Sequence, residues 1–208
     1  MQDPSGPVDG TARGGAPGPD PEPAVPTPVR AYVGLGANLG DPRAQLRWAV
    51  AALDRQAGVR VVGVGSLYGS RPVGVVDQPD FLNSVVALDT VLSADHLLER
   101  LLELERRAGR VRLRRWGPRT LDLDLLWYAG LVIHRPPRLV VPHPRAAERA
   151  FVLVPWAELA PDTVIPGHGP VGRLAEAVDR SGIWLEEASP GWWKEPEPPS
   201  PGVPGAGG

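Results

Sequence analysis

Two aspartates one residue apart, Asp122 and Asp124, follow five arginines, Arg110, Arg112, Arg114, Arg115 and Arg119, in the stretch from Gly109 to Tyr128. In Leu121-Asp122-Leu123-Asp124-Leu125 the alternation predicts a strand. Its leucines face a core and its two carboxylates share the other face, roughly 6–7 Å apart. Carboxylates held so close repel unless a cation or a proton relieves them. Carboxylates completed by phosphate oxygens are the usual ligands of Mg2+. Arginines add planar donors that stay charged, suited to a polyphosphate. Metal-bound phosphate is the first chemistry these residues suggest.

The same pattern also fits a strand with one solvated face, its arginines serving as salt-bridge partners. Trp116-Gly117-Pro118-Arg119 weighs against that reading, because a stiff turn directly before the strand aims an arginine. Phe81 and Asn83 fall on one side of another strand. An aromatic ring beside an amide suits a flat heterocycle, by stacking and paired hydrogen bonds, although a core Phe and a turn-forming Asn would look the same. The chain holds two phenylalanines, Phe81 and Phe151, and both lie in polar, motif-like segments. Pro142-His143-Pro144-Arg145 fixes a histidine that suits a phosphate or a leaving group, with Arg149 and Phe151 following. His96, His134 and His168 have no comparable setting.

Short apolar strands and two amphipathic helices must position these groups. Val29 to Leu35 reads as a strand and Gly34 to Gly40 as a tight turn without the Lys-Ser/Thr of a P-loop. Asp41 caps a helix with Pro42 at its first position, ending near Gly58. Val59 to Tyr68 is a second strand, and Gly69 to Pro79 is a connection long enough to suggest function. Phe81 to Thr90 is the third strand. Ser93 caps a helix with an apolar stripe at Leu97, Leu98, Leu101, Leu102 and Leu104, ending near Gly109. Thr120 to Tyr128 is the fourth strand, with Leu131 to Ile133 expected to pair with it. Short helical segments follow at Phe151 to Leu159 and Val171 to Asp179. The order predicts an α+β, ferredoxin-like split βαβ sandwich: an antiparallel sheet with both long helices on one face and the other face free for a ligand.

Residues 1–27 and 189–208 are rich in Pro and Gly and read as disordered tails around one folded unit at 28–188. Their removal is expected to change little. The N-terminal segment lacks the apolar stretch of a secretory signal, and no run is long enough to cross a bilayer. The chain has no cysteine, which excludes disulfides and thiolate metal sites and fits a reducing, cytoplasmic setting. A net charge of −2 gives no general case for nucleic-acid binding. Positive charge concentrated between Arg100 and Arg119 suits a small polyanion better than a duplex. No large apolar patch is legible, in keeping with a monomer.

Five ordered blocks then resemble the 6-hydroxymethyl-7,8-dihydropterin pyrophosphokinase family of folate biosynthesis. They are Tyr32 to Gly40, Asp77 to Asn83, Glu105 with Gly109 to Arg112, Trp116 to Asp124, and Pro142 to Arg145 with Arg149 to Phe151. The resemblance implies transfer of a diphosphate from MgATP to the pterin hydroxymethyl group, with release of AMP. It implies that Asp122 and Asp124 hold two Mg2+ ions bridging the ATP phosphates. Arg110 and Arg119 would steady the triphosphate, with Arg112 in the mobile loop beside them. Phe81 and Phe151 would sandwich the pterin, with Asn83 at its edge and Asp122 close enough to take the hydroxyl proton. His143 and Arg149 would contact phosphate and ribose, and Glu105 the nucleotide near its base.

Three features depart from the family pattern. Ala37 stands where the family usually has Ser, the Leu113-Arg114-Arg115 linker is a residue shorter, and the long tails lie outside it. The family's loop closes over ATP, so the shortening bears on closure. The competing reading is a non-catalytic ferredoxin-like module binding a nucleotide or RNA. Against it, two carboxylates beside the arginines would repel a nucleic-acid backbone.

Overall fold

The computed structural model describes residues 26–72, 74, 77–109, 118–189 and 191–194. Strand β1 (Val29–Ala37) leads through a turn into helix α1 (Pro42–Asp54). The Asp41 side chain accepts a hydrogen bond from Ala44 N at 3.0 Å, and Pro42 occupies the first turn, as the sequence dictates. The expected second strand is two strands, β2 (Val59–Val64) and β3 (Leu67–Ser70). They part at Gly65, where a Cβ would lie 2.6 Å from the carbonyl oxygen of Pro155. Strand β4 (Phe81–Thr90) pairs with both of them and with β1.

Ser93 caps helix α2 (Ala94–Arg107), accepting from His96 N at 3.3 Å. Gly109 follows at a φ of 73°, a left-handed position that suits glycine after a helix end. Leu97, Leu101 and Leu104 of the expected stripe are fully buried, whereas Leu102 faces solvent at 39% exposure. Strand β5 (Asp122–Tyr128) pairs with β1. Two short strands, β6 (Ile133–Arg135) and β7 (Leu139–Val141), pair with each other. The Leu131–Ile133 segment therefore does not pair with β5 as expected; the chain turns at Ala129 and Gly130, both at positive φ, and makes its own hairpin.

A 3-10 turn at Ala146–Glu148 precedes helix α3 (Ala150–Leu159). The two-residue strands β8 (Val164–Ile165) and β9 (Gly169–Pro170) pair, and helix α4 (Val171–Ala177) follows. Strand β10 (Ile183–Glu187) then pairs with β3, and a last 3-10 turn spans Gly191–Trp193. The main sheet is antiparallel throughout, in the order β10-β3-β4-β1-β5, with β2 also on β4. This is the ferredoxin-like α+β architecture predicted from element order.

Alternation along the strands sorts side chains between two cores. Ala31, Val33 and Leu35, with Leu121, Leu123 and Leu125, pack against α1 and α2 in the larger one. Tyr32, Val85, Ala87 and Leu126 face the other way, onto Leu153 and Trp156 of α3. The sheet face opposite α1 and α2 is therefore shared: α3 covers one part, and the rest carries the site described below. No helix among the described residues is long and apolar enough to cross a membrane.

The folded unit also extends past the expected boundary at residue 188. Trp192 is fully buried, and its Nε1 donates to the Gly65 carbonyl at 2.9 Å. Ser189 Oγ donates to Val64 O at 2.6 Å, and Arg47 donates to the Trp192 carbonyl. An indole can be buried when its N–H finds an acceptor, and the backbone break at Gly65 supplies one.

At an exposed part of the sheet, Asp89 accepts from Arg30 at 2.7 Å and from Arg60 at 3.2 Å. Those hydrogen bonds, the Arg30 one foremost, hold the Asp89 carboxyl below its usual range. A depressed folded value means stability that is present above the unfolded pKa of about 3.9 and lost as pH falls through the folded value. Asp89→Asn should cost at most about 1 kcal/mol at neutral pH, because the partners are solvated. The difference from the unaltered protein should shrink in thermal melts as pH falls through the lowered folded value of Asp89, where that side chain also loses its charge.

Candidate active site

The two carboxylates are placed by β5 pairing with β1. Asp122 lies opposite Gly36 and Asp124 opposite Gly34. At Gly34 the Leu126 side chain takes the space a Cβ would need, 3.3 Å away, whereas Gly36 leaves the ground beside Asp122 unfilled. A Cβ built on Gly36 would sit 3.4 Å from Asn83 Oδ1 and 3.9 Å from Asp122 Cβ. Over this floor opens a cavity of about 610 Å³, and Asp122, Asp124, Arg119, Arg149, Phe81 and Phe151 all line it. Asn83 lines it too, together with Ser70, Arg71, Gln78, Arg145 and Glu148. Residues far apart in sequence thus meet on one face, as alternation predicted.

Asn83 is buried, and its Nδ2 donates to Ser70 Oγ at 2.9 Å. That bond fixes the amide's orientation and leaves its Oδ1 beside Gly36, near Asp122. At the other carboxylate, Arg149 and His143 lie 4.0 and 3.9 Å from Asp124. The Arg149 guanidinium is also 5.5 Å from the centre of the Phe151 ring, close enough for a cation–π contact. His143 Nδ1 accepts from Arg145 N at 3.2 Å, so in the neutral ring the proton sits on Nε2, the nitrogen facing Asp124. His143 stands behind Asp124 rather than in the cavity lining.

The electrostatics differ along the cavity. Arg119 pairs with Asp122. Asp124 keeps 38% of its side-chain surface exposed, yet it sits in a concavity with protein atoms around it. Burial, then the charge of Asp122, raises its carboxyl above the ordinary range, against the pull of His143, Arg149 and Arg119. Burial likewise lowers His143, which favours the neutral ring. An anionic pair under strain from its own repulsion gains most from an added cation. Among the described residues no group of three or more His, Cys, Asp and Glu forms a metal cage. Two carboxylates in an open cavity lined by arginines fit an ion that takes its remaining ligands from phosphate.

Asn38 ties the site's segments together and was not singled out by its sequence pattern. It is buried, its Oδ1 accepts from Arg119 N at 2.7 Å, and its Nδ2 donates to Pro79 O at 2.9 Å and Gln78 Oε1 at 3.1 Å. Arg119 O accepts in turn from the backbone of Asn38 and Leu39. One side chain thereby joins the β1–α1 turn, the approach to β4 and the entry to β5. A buried-capable amide in a glycine turn was the available signal.

Glu105, which the resemblance implies contacts the nucleotide near its base, is placed by helix α2. It lies fully inside, on the helix-covered side of β5, where its Oε1 accepts from Leu123 N at 2.8 Å. It supports the strand that carries the aspartates rather than lining the cavity. Ala37 is likewise buried in the helix-side core, so a missing hydroxyl there leaves the cavity lining unchanged. Arg110, Arg112, the 113–115 linker, Trp116 and Gly117 lie outside the described residues.

Comparison with known proteins shows the family. Residues 32–161 match the family model described as 7,8-dihydro-6-hydroxymethylpterin-pyrophosphokinase (HPPK). A relative in Methylorubrum extorquens, named 2-amino-4-hydroxy-6-hydroxymethyldihydropteridine pyrophosphokinase, is 51% identical over 155 residues, 74% of this chain and 97% of its own length. A Pseudomonas aeruginosa protein of the same name is 47% identical over 154 residues, 74% of this chain and 94% of its own length. The fold is similar to that of wild-type Plasmodium falciparum HPPK-DHPS, with a TM-score of 0.56 at 12% identity, covering 72% of this chain. This chain spans 44% of that longer one. The chain belongs to the 7,8-dihydro-6-hydroxymethylpterin-pyrophosphokinase family.

Proposed function

We infer that this protein transfers a diphosphate from ATP to the hydroxymethyl group of 6-hydroxymethyl-7,8-dihydropterin in folate biosynthesis. Membership of the family carries the activity. The observation that carries its location is the pairing of Asp122 and Asp124 on one strand face, in a cavity that also holds Phe81, Asn83, Arg119 and Arg149. The hydroxymethyl oxygen attacks the β-phosphorus of ATP, the bond from that phosphorus to the α–β bridging oxygen breaks, and AMP leaves with that oxygen. Such a transfer asks for positioning and charge neutralisation more than for covalent catalysis.

The cavity's two ends divide the work. Phe81 and Phe151 offer ring faces to the pterin, and Asn83 Oδ1, its amide held by Ser70, accepts from an N–H on the pterin edge. Asp122, close to Asn83, is the carboxylate beside which the hydroxymethyl group would lie, and it takes the hydroxyl proton. Asp122 and Asp124 would hold Mg2+, two ions in this reading, together with the phosphates. Bound there, Mg2+ supplies charge neutralisation at the phosphoryl oxygens. Arg119, Arg149 and His143 hold the anionic end, with Arg110 and Arg112 as further cations from the adjoining segment. The working unit is a cytoplasmic monomer that needs neither nucleic acid nor membrane. A nucleotide-binding module without catalysis would have no use for two repelling carboxylates on the cavity floor.

The test is product analysis with MgATP, with and without the pterin. AMP should accumulate when pterin is present and not otherwise. ADP in place of AMP would overturn the diphosphate transfer, and no nucleotide product at all would favour the binding-module reading.

A further inference from the structure

Part of the cavity wall comes from beyond the residues that match the family model, which end at 161. Val178, Asp179, Ser181, Gly182 and Ile183 line the same cavity as Phe81 and Asn83. Their placement is set by β10, which pairs with β3 so that Ile183 lies opposite Ser70 and Trp184 opposite Gly69. Gly182 O accepts from Arg71 N at 3.0 Å and extends the pairing to the cavity rim.

The contact that seats β10 is unusual. A Cβ added to Gly69 would fall 2.1 Å from the Trp184 indole, so the ring lies directly on the bare backbone of β3. Trp184 remains 39% exposed, and its Nε1 donates to Glu186 at 3.1 Å. The next residue after Gly69 is Ser70, whose Oγ receives the Nδ2 of Asn83. A continuous line therefore runs from Trp184 through Gly69 and Ser70 to Asn83. A glycine inside a strand often marks a place where another group approaches the backbone closely, and here that group is the Trp184 indole.

Resting on the pyrophosphokinase reading, we propose that Trp184 is a positioning residue for the pterin end of the cavity, acting through Gly69 and Ser70 on Asn83. It touches no substrate. By holding β10 against β3 it fixes both the Gly182–Ile183 wall and the Ser70 hydroxyl that orients the amide. The nucleotide end, built from β5 and the 143–149 segment, is not on this line.

The test uses the full chain and four variants: Trp184→Ala, Trp184→Phe, Gly69→Ala, and Gly69→Ala with Trp184→Ala. 6-Hydroxymethyl-7,8-dihydropterin is titrated into protein saturated with Mg2+ and an ATP analogue whose α–β bridge is methylene. The analogue is also titrated alone, all at temperatures well below each variant's melting point. Trp184→Ala and Gly69→Ala should each weaken pterin binding on the order of tenfold, with analogue affinity unchanged. The double variant should be no weaker than Gly69→Ala, because both changes act on one contact. Trp184→Phe should restore most of the affinity.

Unchanged pterin affinity in both single variants would overturn the inference. So would a parallel loss of analogue affinity, which signals general loosening. If Trp184→Ala does not fold, Gly69→Ala and Trp184→Phe decide alone. No pterin binding by the unaltered protein would overturn the pyrophosphokinase reading, and this inference with it.

Discussion

Asp124→Asn should lower turnover on the order of 10³-fold while leaving the folded protein as stable as before, or slightly more so. On the proposed metal role, the loss follows from removing one of two carboxylates that would hold Mg2+ against the phosphates, a contribution of several kcal/mol to the barrier. The stability gain follows from the repulsion that burial and Asp122 impose on Asp124. Asparagine keeps the shape and removes the charge. AMP formation at saturating substrates measures the first effect, and thermal melts in metal-free buffer measure the second. Turnover within a few-fold of the unaltered protein, in Mg2+, would remove Asp124 from the metal site. A clear drop in melting temperature would mean that Asp124 serves the fold.

Trp192→Ala should be the most damaging single change outside the cavity. A fully buried indole that also donates to Gly65 O leaves a void and removes one of that carbonyl's two hydrogen bonds when truncated, the other coming from Ser84 Oγ at 2.9 Å. Substitutions of this kind cost about 3–5 kcal/mol, roughly 10 °C of melting temperature for a chain of this size. Deleting residues 189–208 should do at least as much harm, because it also removes the Ser189 hydrogen bonds to Val64 and Ser66. This reverses the expectation drawn from composition. An unchanged melting temperature in the deletion would show that this segment does not dock in solution.

That reversal shows where sequence reading succeeds. Alternation in Leu121 to Leu125 located the aspartates and their face, because period-two patterning is a direct consequence of strand geometry. The caps at Asp41 and Ser93 were legible because an N-cap is a local interaction. The Phe81–Asn83 pair was legible for the same reason as the aspartates. Trp192 was not, because a short segment among prolines and glycines reveals its burial only through partners that are distant in sequence, Gly65 and Arg47. The burial of Glu105 was not legible, because it depends on the Leu123 N–H of a strand that the helix pattern does not reveal. The split of β2 from β3 depends on α3 crossing at Gly65, which no local pattern announces.

The pairing of β5 with β1 carries a shift between Tyr32 and Val33, so Leu126 is an extra residue in its strand. Before it, odd positions face the helices and even ones the cavity; after it, Tyr128 faces the helices again. The bulge therefore acts as a parity reset. The half of β5 bearing Asp122 and Asp124 keeps its own phase, independent of how Trp127 and Tyr128 pack. A slip of one residue in that half would put Asp122 and Asp124 at positions now held by leucines and bury two charges in the core. Misregistered forms are thus disfavoured by the same two carboxylates proposed to hold the metal.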